Sequence, residues 1–306
     1  MNEPQAPIPK TDPASVEMRE RAKAEGVETI WDRYEAFGTQ CKVGELGICC
    51  SICPMGPCNL GLPGSKRTKV GVCGATIDNI VARRLARGMA AGSAAHTDHG
   101  RAVASLLLKT ARGEAPGYRI ADEAKLNSLA DELGIEREGK PVEQVAEEVA
   151  EACLAAFGAQ EDGIKFVQRA PEKQQVNWEK LDITPRGIDR EVVDVMHRTH
   201  MGVDSDYKTI ILGAMRTTLA DGWGGSMIAT DLQDVLFGTP KPVRAEVNLG
   251  VLGEDKVNIL VHGHEPALAE AIVDVANDPA MLERAREQGA SGINVAGICC
   301  TANEVL

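Results

Sequence analysis

Six cysteines lie close together in the N-terminal quarter of the chain, and four of them, Cys50, Cys53, Cys58 and Cys73, have the spacing C-x2-C-x4-C-x14-C. The first three share one segment rich in Gly and Pro, whose glycines permit the left-handed turns and close backbone approach that wrapping a cluster requires. Four thiolates are the protein ligands of a [4Fe-4S] cluster. The spacing therefore predicts one [4Fe-4S] cluster bound within the chain.

Zinc is the main alternative metal, because it also binds four thiolates. Its usual structural sites pair two C-x2-4-C motifs across a longer gap, and no second, well-separated pair is obvious in this sequence. Disulfides are disfavoured, since the chain has no secretory signal and clustered cysteines in a cytosolic protein indicate metal binding. The pattern therefore favours an iron-sulfur cluster over zinc.

Cys41 and Cys49 are the other two cysteines of this block, and seven residues separate them. Cys49 directly precedes Cys50, so the two side chains are expected to point to different places. Two thiolates are half the ligand set of a cluster, which suits a two-fold dimer whose subunits each contribute a pair to one cluster on the symmetry axis. The residues alone leave a second interpretation open, in which both are ordinary reduced thiols.

Charge and composition restrict the possible partners. The net charge is -12, from 45 acidic and 33 basic side chains, which argues against nucleic acid or an anionic membrane surface as a ligand. No stretch approaches the roughly 18 apolar residues that span a bilayer, and the polar residues 1–13 do not resemble a signal peptide. We expect a cytoplasmic protein without a membrane span. An aromatic content of 3% leaves small aliphatic residues to build the core and favours close helix packing.

Hydrophobic periodicity predicts a mainly helical N-terminal part. A first helix is expected over residues 15–37, followed by a cysteine segment, residues 41–67, too rich in Gly and Pro for a long helix or strand. Further helices are expected over residues 76–110, 122–133, 142–157, 190–200 and 207–219.

A different pattern begins near Thr239. Apolar runs at residues 257–261 and 293–298 are typical of buried parallel strands, and the helical pattern at residues 266–288, with a break at Pro279, completes one βαβ unit. The predicted fold is a helical cluster-binding domain over residues 1–240, then the first part of a Rossmann-like parallel α/β domain over residues 241–306. A parallel sheet rarely stops at two strands, so we expect a fragment, a natural truncation or a completing partner chain; a small two-layer domain is the alternative.

Several segments resemble one known family. The sequences CKVGELGICCSICPMGPCNLG and KVGVCGATIDNIVARRLARGMAAGSAAHTDHG are similar to the N-terminal region of the anaerobic nickel-containing carbon monoxide dehydrogenases, and so are VMHRTHMGVDSD, NLGVLGEDKVNILVHGHEPAL and GINVAGICCTANEVL. The resemblance covers nearly the whole chain, and residues 116–177 are its least distinctive part. A C-x2-C-x4-C motif alone would be weak, but several such segments in order are specific.

The resemblance implies roles for particular residues. Cys50, Cys53, Cys58 and Cys73 would bind a cluster within each subunit, while Cys41 and Cys49 would bind a second [4Fe-4S] cluster shared across a homodimer. His264 and Cys300 match two ligands of the Ni-Fe-S active-site cluster, whose remaining ligands would lie beyond residue 306. Both follow predicted parallel strands, and open α/β sheets bind ligands at the carboxyl ends of their strands.

His96 and His99 match the start of the family's proton-transfer series. His96 would be the acid/base histidine, and His99 would follow one helical turn later. The next turn, from Gly100 to Val103, has no histidine, so protons would leave through water or Asp98.

The implied reaction is CO + H2O to CO2, two protons and two electrons. The electrons would pass through the internal and shared clusters to ferredoxin or a similar carrier, and an acetyl-CoA synthase subunit is a further partner that the family admits. This chain alone would be incomplete as an enzyme. Two alternatives stay open: a hybrid-cluster-type oxidoreductase, whose cysteine spacing differs, and a truncated non-catalytic electron-transfer module.

Overall fold

The computed structural model describes residues 13–61, 64, 66–239, 251–262 and 266–299. Its first elements are two helices, α1 (Pro13–Ala24) and α2 (Ile30–Ala36). The single helix predicted over residues 15–37 is therefore wrong. Gly26, with a φ of +71°, ends the first helical stretch, and Thr29 starts the second through a capping box in which its backbone N–H and hydroxyl both donate to Asp32.

In its described residues, the cysteine block contains only short regular elements, as its composition predicts. They are α3 (Lys42–Glu45), β1 (Cys49–Cys50) and β2 (Cys58–Asn59). The two strands pair antiparallel, with Cys49 opposite Asn59 and Cys50 opposite Cys58.

A long helix, α4 (Ile77–Ala111), follows the block and confirms the helix predicted over residues 76–110. Thr76 caps its N-terminus: its hydroxyl accepts from the Asn79 amide at 3.4 Å, and its own amide donates to the Asn79 side chain at 3.1 Å. The remaining helices of this part are α5 (Glu123–Leu133), α6 (Val142–Gly158), α7 (Glu172–Lys180), α8 (Ile188–Arg198), α9 (Tyr207–Ala220) and α10 (Ser226–Phe237).

Helix α4 lies between two groups of helices. On one side α5, α6 and α10 pack a core of larger residues against its second half, including Leu107, Leu129, Phe157 and Leu232. On the other side its small residues Ala82, Ala86 and Ala90 contact Val195, Ile210 and Ala214 of α8 and α9. The alanines recur every four residues, so one face of α4 is narrow enough for close helix approach.

Helices α9 and α10 are joined by a single π turn, Asp221–Gly225. A Cβ atom on Gly225 would lie 2.6 Å from Cα of Thr97, and one on Gly100 would overlap the Gly225 carbonyl oxygen. The backbones of α4 and the π turn are therefore in direct contact, and only glycine fits at either position.

The last described elements form the predicted βαβ unit. Strands β3 (Lys256–His262) and β4 (Gly292–Cys299) pair parallel, and helices α11 (Pro266–Asn277) and α12 (Pro279–Glu287) connect them. The break predicted at Pro279 is confirmed, since Asp278 caps a new helix there. The architecture is therefore mainly helical with a small parallel sheet, whereas the predicted boundary between residues 240 and 241 lies outside the described residues.

Candidate functional site

The cysteines predicted to bind the internal cluster are brought together by the β1–β2 ladder. Cys50 and Cys58 are directly opposite in this ladder, so their side chains lie on the same face. Between them, the Gly56 amide donates to the Cys53 carbonyl at 3.1 Å, which turns the chain back tightly. A Cβ atom on Gly56 would lie 3.0 Å from the Cys50 carbonyl oxygen, so the turn requires glycine.

Cys73 reaches the same place from a second turn. The Gly71 amide donates to the Ala75 carbonyl at 2.8 Å and the Gly74 amide to the Gly71 carbonyl at 2.9 Å, which folds the segment around Cys73. The segment lies against Cys58, because the Val72 amide is 3.5 Å from the Cys58 Sγ atom. The four predicted ligands therefore lie on the β1–β2 hairpin and on the turn packed against it.

The four thiols line one cavity. Among the described residues, no three His, Cys, Asp or Glu side chains lie close enough together to bind a single metal ion. The four thiols are instead distributed over the wall of the cavity. The remaining lining residues are mostly apolar: Ile52, Gly71, Val72, Ala75, Ile80, Arg83 and Met201. Four thiols around an apolar space fit the donor set of a cuboidal iron-sulfur cluster.

Arg83 is the one residue lining the described cavity that carries a full charge at neutral pH. It is 1% exposed, and its Nη1 atom lies 3.6 Å from the Cys73 Sγ atom. Burial opposes ionisation of Cys73, but hydrogen bonds from Arg83 and from backbone amides outweigh it and lower the pKa of the thiol. The site therefore favours the thiolate that a cluster requires.

Cys41 and Cys49 lie apart from this cavity. Cys41 is exposed at the N-cap of α3, where the backbone amides of Gly44 and Val43 lower the pKa of its thiol. Cys49 is half-buried on β1 beside Cys50, and successive side chains of a strand point to opposite faces. Their role in a second cluster stays a prediction.

His96 lies on α4 with Asp221 as its partner: the His96 Nδ1 atom is 3.1 Å from the Asp221 Oδ2 atom. Asp221 is held in turn by the Ser226 hydroxyl, which donates to Oδ1 at 2.9 Å. Asp221 was not predicted from the sequence as a site residue. The only local signal is the run DGWGG, whose glycines indicate an interruption between two helices.

His99 lies one turn further along α4 and is buried, with 6% exposure. Its Nε2 atom is 3.4 Å from the Gln233 amide nitrogen. With the amide donating, the ring accepts at Nε2 and carries its proton on Nδ1. Gln233, fully buried on α10, is a second partner that the sequence analysis did not identify.

The two predicted ligands of the active-site cluster, His264 and Cys300, lie outside the described residues. The strands that precede them are described: β3 ends at His262 and β4 at Cys299, and these two residues are partners in the parallel register. In addition, no helix in the described part of the chain is long and apolar enough to cross a membrane.

Comparison with known proteins gives consistent matches over most of the chain. Residues 48–306 match the model of the Prismane/CO dehydrogenase family. Carbon monoxide dehydrogenase 1 of Methanosarcina mazei is 58% identical over 295 residues, covering 96% of this chain and 47% of the relative.

Two solved structures agree with these matches. The Ni-free carbon monoxide dehydrogenase from Thermococcus sp. AM4 superimposes with a TM-score of 0.83 at 48% identity, over 96% of this chain and 48% of that one. A chain of acetyl-CoA synthase/carbon monoxide dehydrogenase gives a TM-score of 0.82 at 40% identity, over 100% of this chain and 46% of that one. The chain spans about half the length of the relatives it matches. It belongs to the Prismane/CO dehydrogenase family.

Proposed function

We propose that this chain is the cluster-binding part of an anaerobic carbon monoxide dehydrogenase, which converts CO and water into CO2, two protons and two electrons. The observation that carries the proposal is the convergence of Cys50, Cys53, Cys58 and Cys73 on one cavity, in a chain whose relatives are named for this activity. A bound [4Fe-4S] cluster would supply one-electron transfer at this position.

The second cluster is proposed to be shared between two subunits through Cys41 and Cys49. Cys41 is exposed at the N-cap of α3, so its thiol is accessible to a partner subunit. The same region exposes large apolar side chains, Ile30 at 66%, Phe37 at 76% and Leu46 at 57%. An apolar surface of this kind is typical of an interface between subunits, which supports a homodimer.

His264 and Cys300 are proposed as ligands of the Ni-Fe-S active-site cluster. The support is positional, because each follows the carboxyl end of one of two paired parallel strands. We also propose that residues 1–240 form the helical domain and that residues 241–306 begin a Rossmann-like domain.

His96 is proposed to take up a proton released by the reaction. Its Nδ1 atom is engaged by Asp221, which places a carboxylate beside the imidazolium that would form. His99, with Nε2 facing Gln233, would then carry the proton along α4.

The proposed electron acceptor is ferredoxin or a similar carrier in the cytoplasm. An acetyl-CoA synthase subunit is a further proposed partner, because one structural relative is the acetyl-CoA synthase/carbon monoxide dehydrogenase complex.

Anaerobic metal analysis tests the proposal. The protein, expressed from its native gene with any coding sequence past residue 306, should contain about six irons per chain from one internal cluster and half of a shared one, besides the iron and nickel of the active site. It should also reduce an electron acceptor when CO is added. Zinc with little iron would show that the cysteines are structural, and iron without nickel or CO oxidation would favour the electron-transfer module.

A further inference from the structure

We propose that Arg83 is a positioning residue that raises the reduction potential of the cluster bound by Cys50, Cys53, Cys58 and Cys73, by donating from a buried guanidinium to the Cys73 sulfur. The inference rests on the proposed function, since it supposes that these cysteines bind an iron-sulfur cluster.

The guanidinium is fixed by its surroundings. It extends from the second turn of α4, and its Nη2 atom donates to the Asp204 carbonyl at 2.8 Å while Nη1 lies 3.6 Å from Cys73 Sγ. Asn79, one turn earlier, donates to the Ser205 carbonyl at 2.8 Å and so holds the same loop against α4. Two hydrogen bonds, one from Arg83 and one from Asn79, therefore hold this loop against α4 and fix the position of the guanidinium.

One donor of Arg83 is unused. Its Nε atom is buried without a hydrogen-bond partner among the described residues, although the side chain is 1% exposed and lines the cavity. A buried unpaired donor is strongly disfavoured, so a ligand that accepts hydrogen bonds is expected beside it. The sulfides of an iron-sulfur cluster are acceptors of this kind.

The buried charge also requires an anion. Among the described residues, the partners of Arg83 are a thiol and a main-chain carbonyl, and a buried cation is costly unless it is paired. Four thiolates carry more negative charge than the cluster core neutralises, so the loaded site supplies the missing counter-charge.

The direction of the effect follows from electrostatics. Reduction adds one electron to the cluster and breaks no bond, so the reduced form is the more negative one. A cation and its hydrogen bond at 3.6 Å stabilise that form more than the oxidised form. Cluster potentials depend on net charge and on hydrogen bonds to sulfur, and the Arg83 guanidinium supplies both at Cys73.

Potentiometric titration of the anaerobically purified full-length protein tests the proposal, with the reduced cluster followed by electron paramagnetic resonance. Arg83→Met should lower the midpoint potential by a tenfold or greater shift in the reduction equilibrium, which is about 59 mV for a one-electron couple. Arg83→Lys, which keeps the charge, should stay closer to the wild-type potential than Arg83→Gln, which keeps a donor without the charge.

Arg87→Met is the matched control. Arg87 lies one turn further along α4 and donates to the Thr199 hydroxyl at 3.0 Å and to the Met196 carbonyl, not to a cysteine. The Arg87→Met substitution removes the same charge from the same helix, roughly 6 Å further along the helix axis. It should leave the midpoint potential of the cluster nearly unchanged.

Each outcome decides the matter. An unchanged potential in Arg83→Met with full iron content overturns the inference and leaves the proposed function intact. If Arg83→Met binds no cluster, the Lys and Gln variants decide, and equal potentials in these two overturn the inference. Loss of the cluster in all three variants also overturns it, because Arg83 would then be needed for cluster assembly. Absence of iron from the wild-type protein would refute the proposed function itself.

Discussion

The contact between Gly100 and Gly225 gives the sharpest stability prediction. Gly100 lies on α4, and a Cβ atom there would lie 3.1 Å from the Gly225 carbonyl carbon and 3.3 Å from its Cα atom, and would overlap its oxygen. Ordinary contacts of a Cβ atom begin at 3.4 Å. The neighbour is backbone, which cannot rotate away as a side chain can, so Gly100→Ala must push α4 and the π turn apart.

The size of the effect can be estimated from two opposing contributions. Overpacking a close-packed core typically destabilises by about 1–3 kcal/mol. Replacing glycine by alanine inside a helix stabilises by roughly 0.5–1 kcal/mol. The expected net loss is about 1–2 kcal/mol, and each kcal/mol lowers Tm by roughly 2–4 °C in a domain of this size.

Thermal unfolding followed by far-UV circular dichroism, under anaerobic conditions and at one scan rate, measures the change. Gly92→Ala is the control, because it adds the same methyl group to the same helix at an exposed position with no atom within 4 Å. It should raise Tm slightly through helix propensity alone.

The comparison of the two variants is decisive. If Gly100→Ala unfolds at or above the wild-type temperature, as Gly92→Ala should, the close approach of α4 to the π turn is refuted. If both variants lower Tm equally, the loss comes from the helix itself and not from the contact with Gly225.

Three further predictions concern the proposed chemistry and the cysteines. Asp221→Asn should lower the rate of CO oxidation roughly tenfold, less than the 10²–10⁴-fold of a general acid/base itself, with metal content unchanged; a wild-type rate would separate this carboxylate from proton transfer at His96. Replacing Cys41 and Cys49 together by Ser should remove about two irons per chain and shift the dimer toward monomer in analytical ultracentrifugation, whereas unchanged iron content would make them ordinary thiols. Burial raises the pKa of the Cys153 thiol to about 12, so iodoacetamide at neutral pH should label Cys153 only after denaturation. Rapid labelling of Cys153 in the native protein, read by peptide mass spectrometry, would contradict its burial.

Local patterns were sufficient to predict most of the regular structure. Helix α4 and the βαβ unit were predicted within one or two residues, because strong periodicity and a proline at the first position of a helix are local properties. The first helix was predicted as one element because its apolar positions continue past Gly26, yet this glycine adopts a φ of +71° and ends the helix. Helix α7 was missed because its sequence, EKQQVNWEK, is polar and buries no residue.

The partners of the site residues were beyond the reach of local patterns. Asp221 is 125 residues from His96 in sequence, and its position depends on a π turn of three glycines, which helix propensity alone disfavours. Arg83 looks like any surface arginine in a helix until the fold buries it beside Cys73. Cysteine spacing could predict the four ligands of the internal cluster, because such a cluster is held by thiolates, but the groups that tune a ligand carry no such chemical signature.

Helix α4 joins the two parts of the candidate site and fixes the distance between them. Arg83 and His96 lie thirteen residues apart on it, which corresponds to about 20 Å along the helix axis. The helix runs unbroken from Ile77 to Ala111 and is packed by α6, α8, α9 and α10, so the regular rise of one helix sets the spacing of the cluster cavity and the histidine. It follows that the two parts should respond separately to substitution: the Arg83 variants should shift the potential without altering the pairing of His96, and Gly100→Ala should disturb that pairing without shifting the potential.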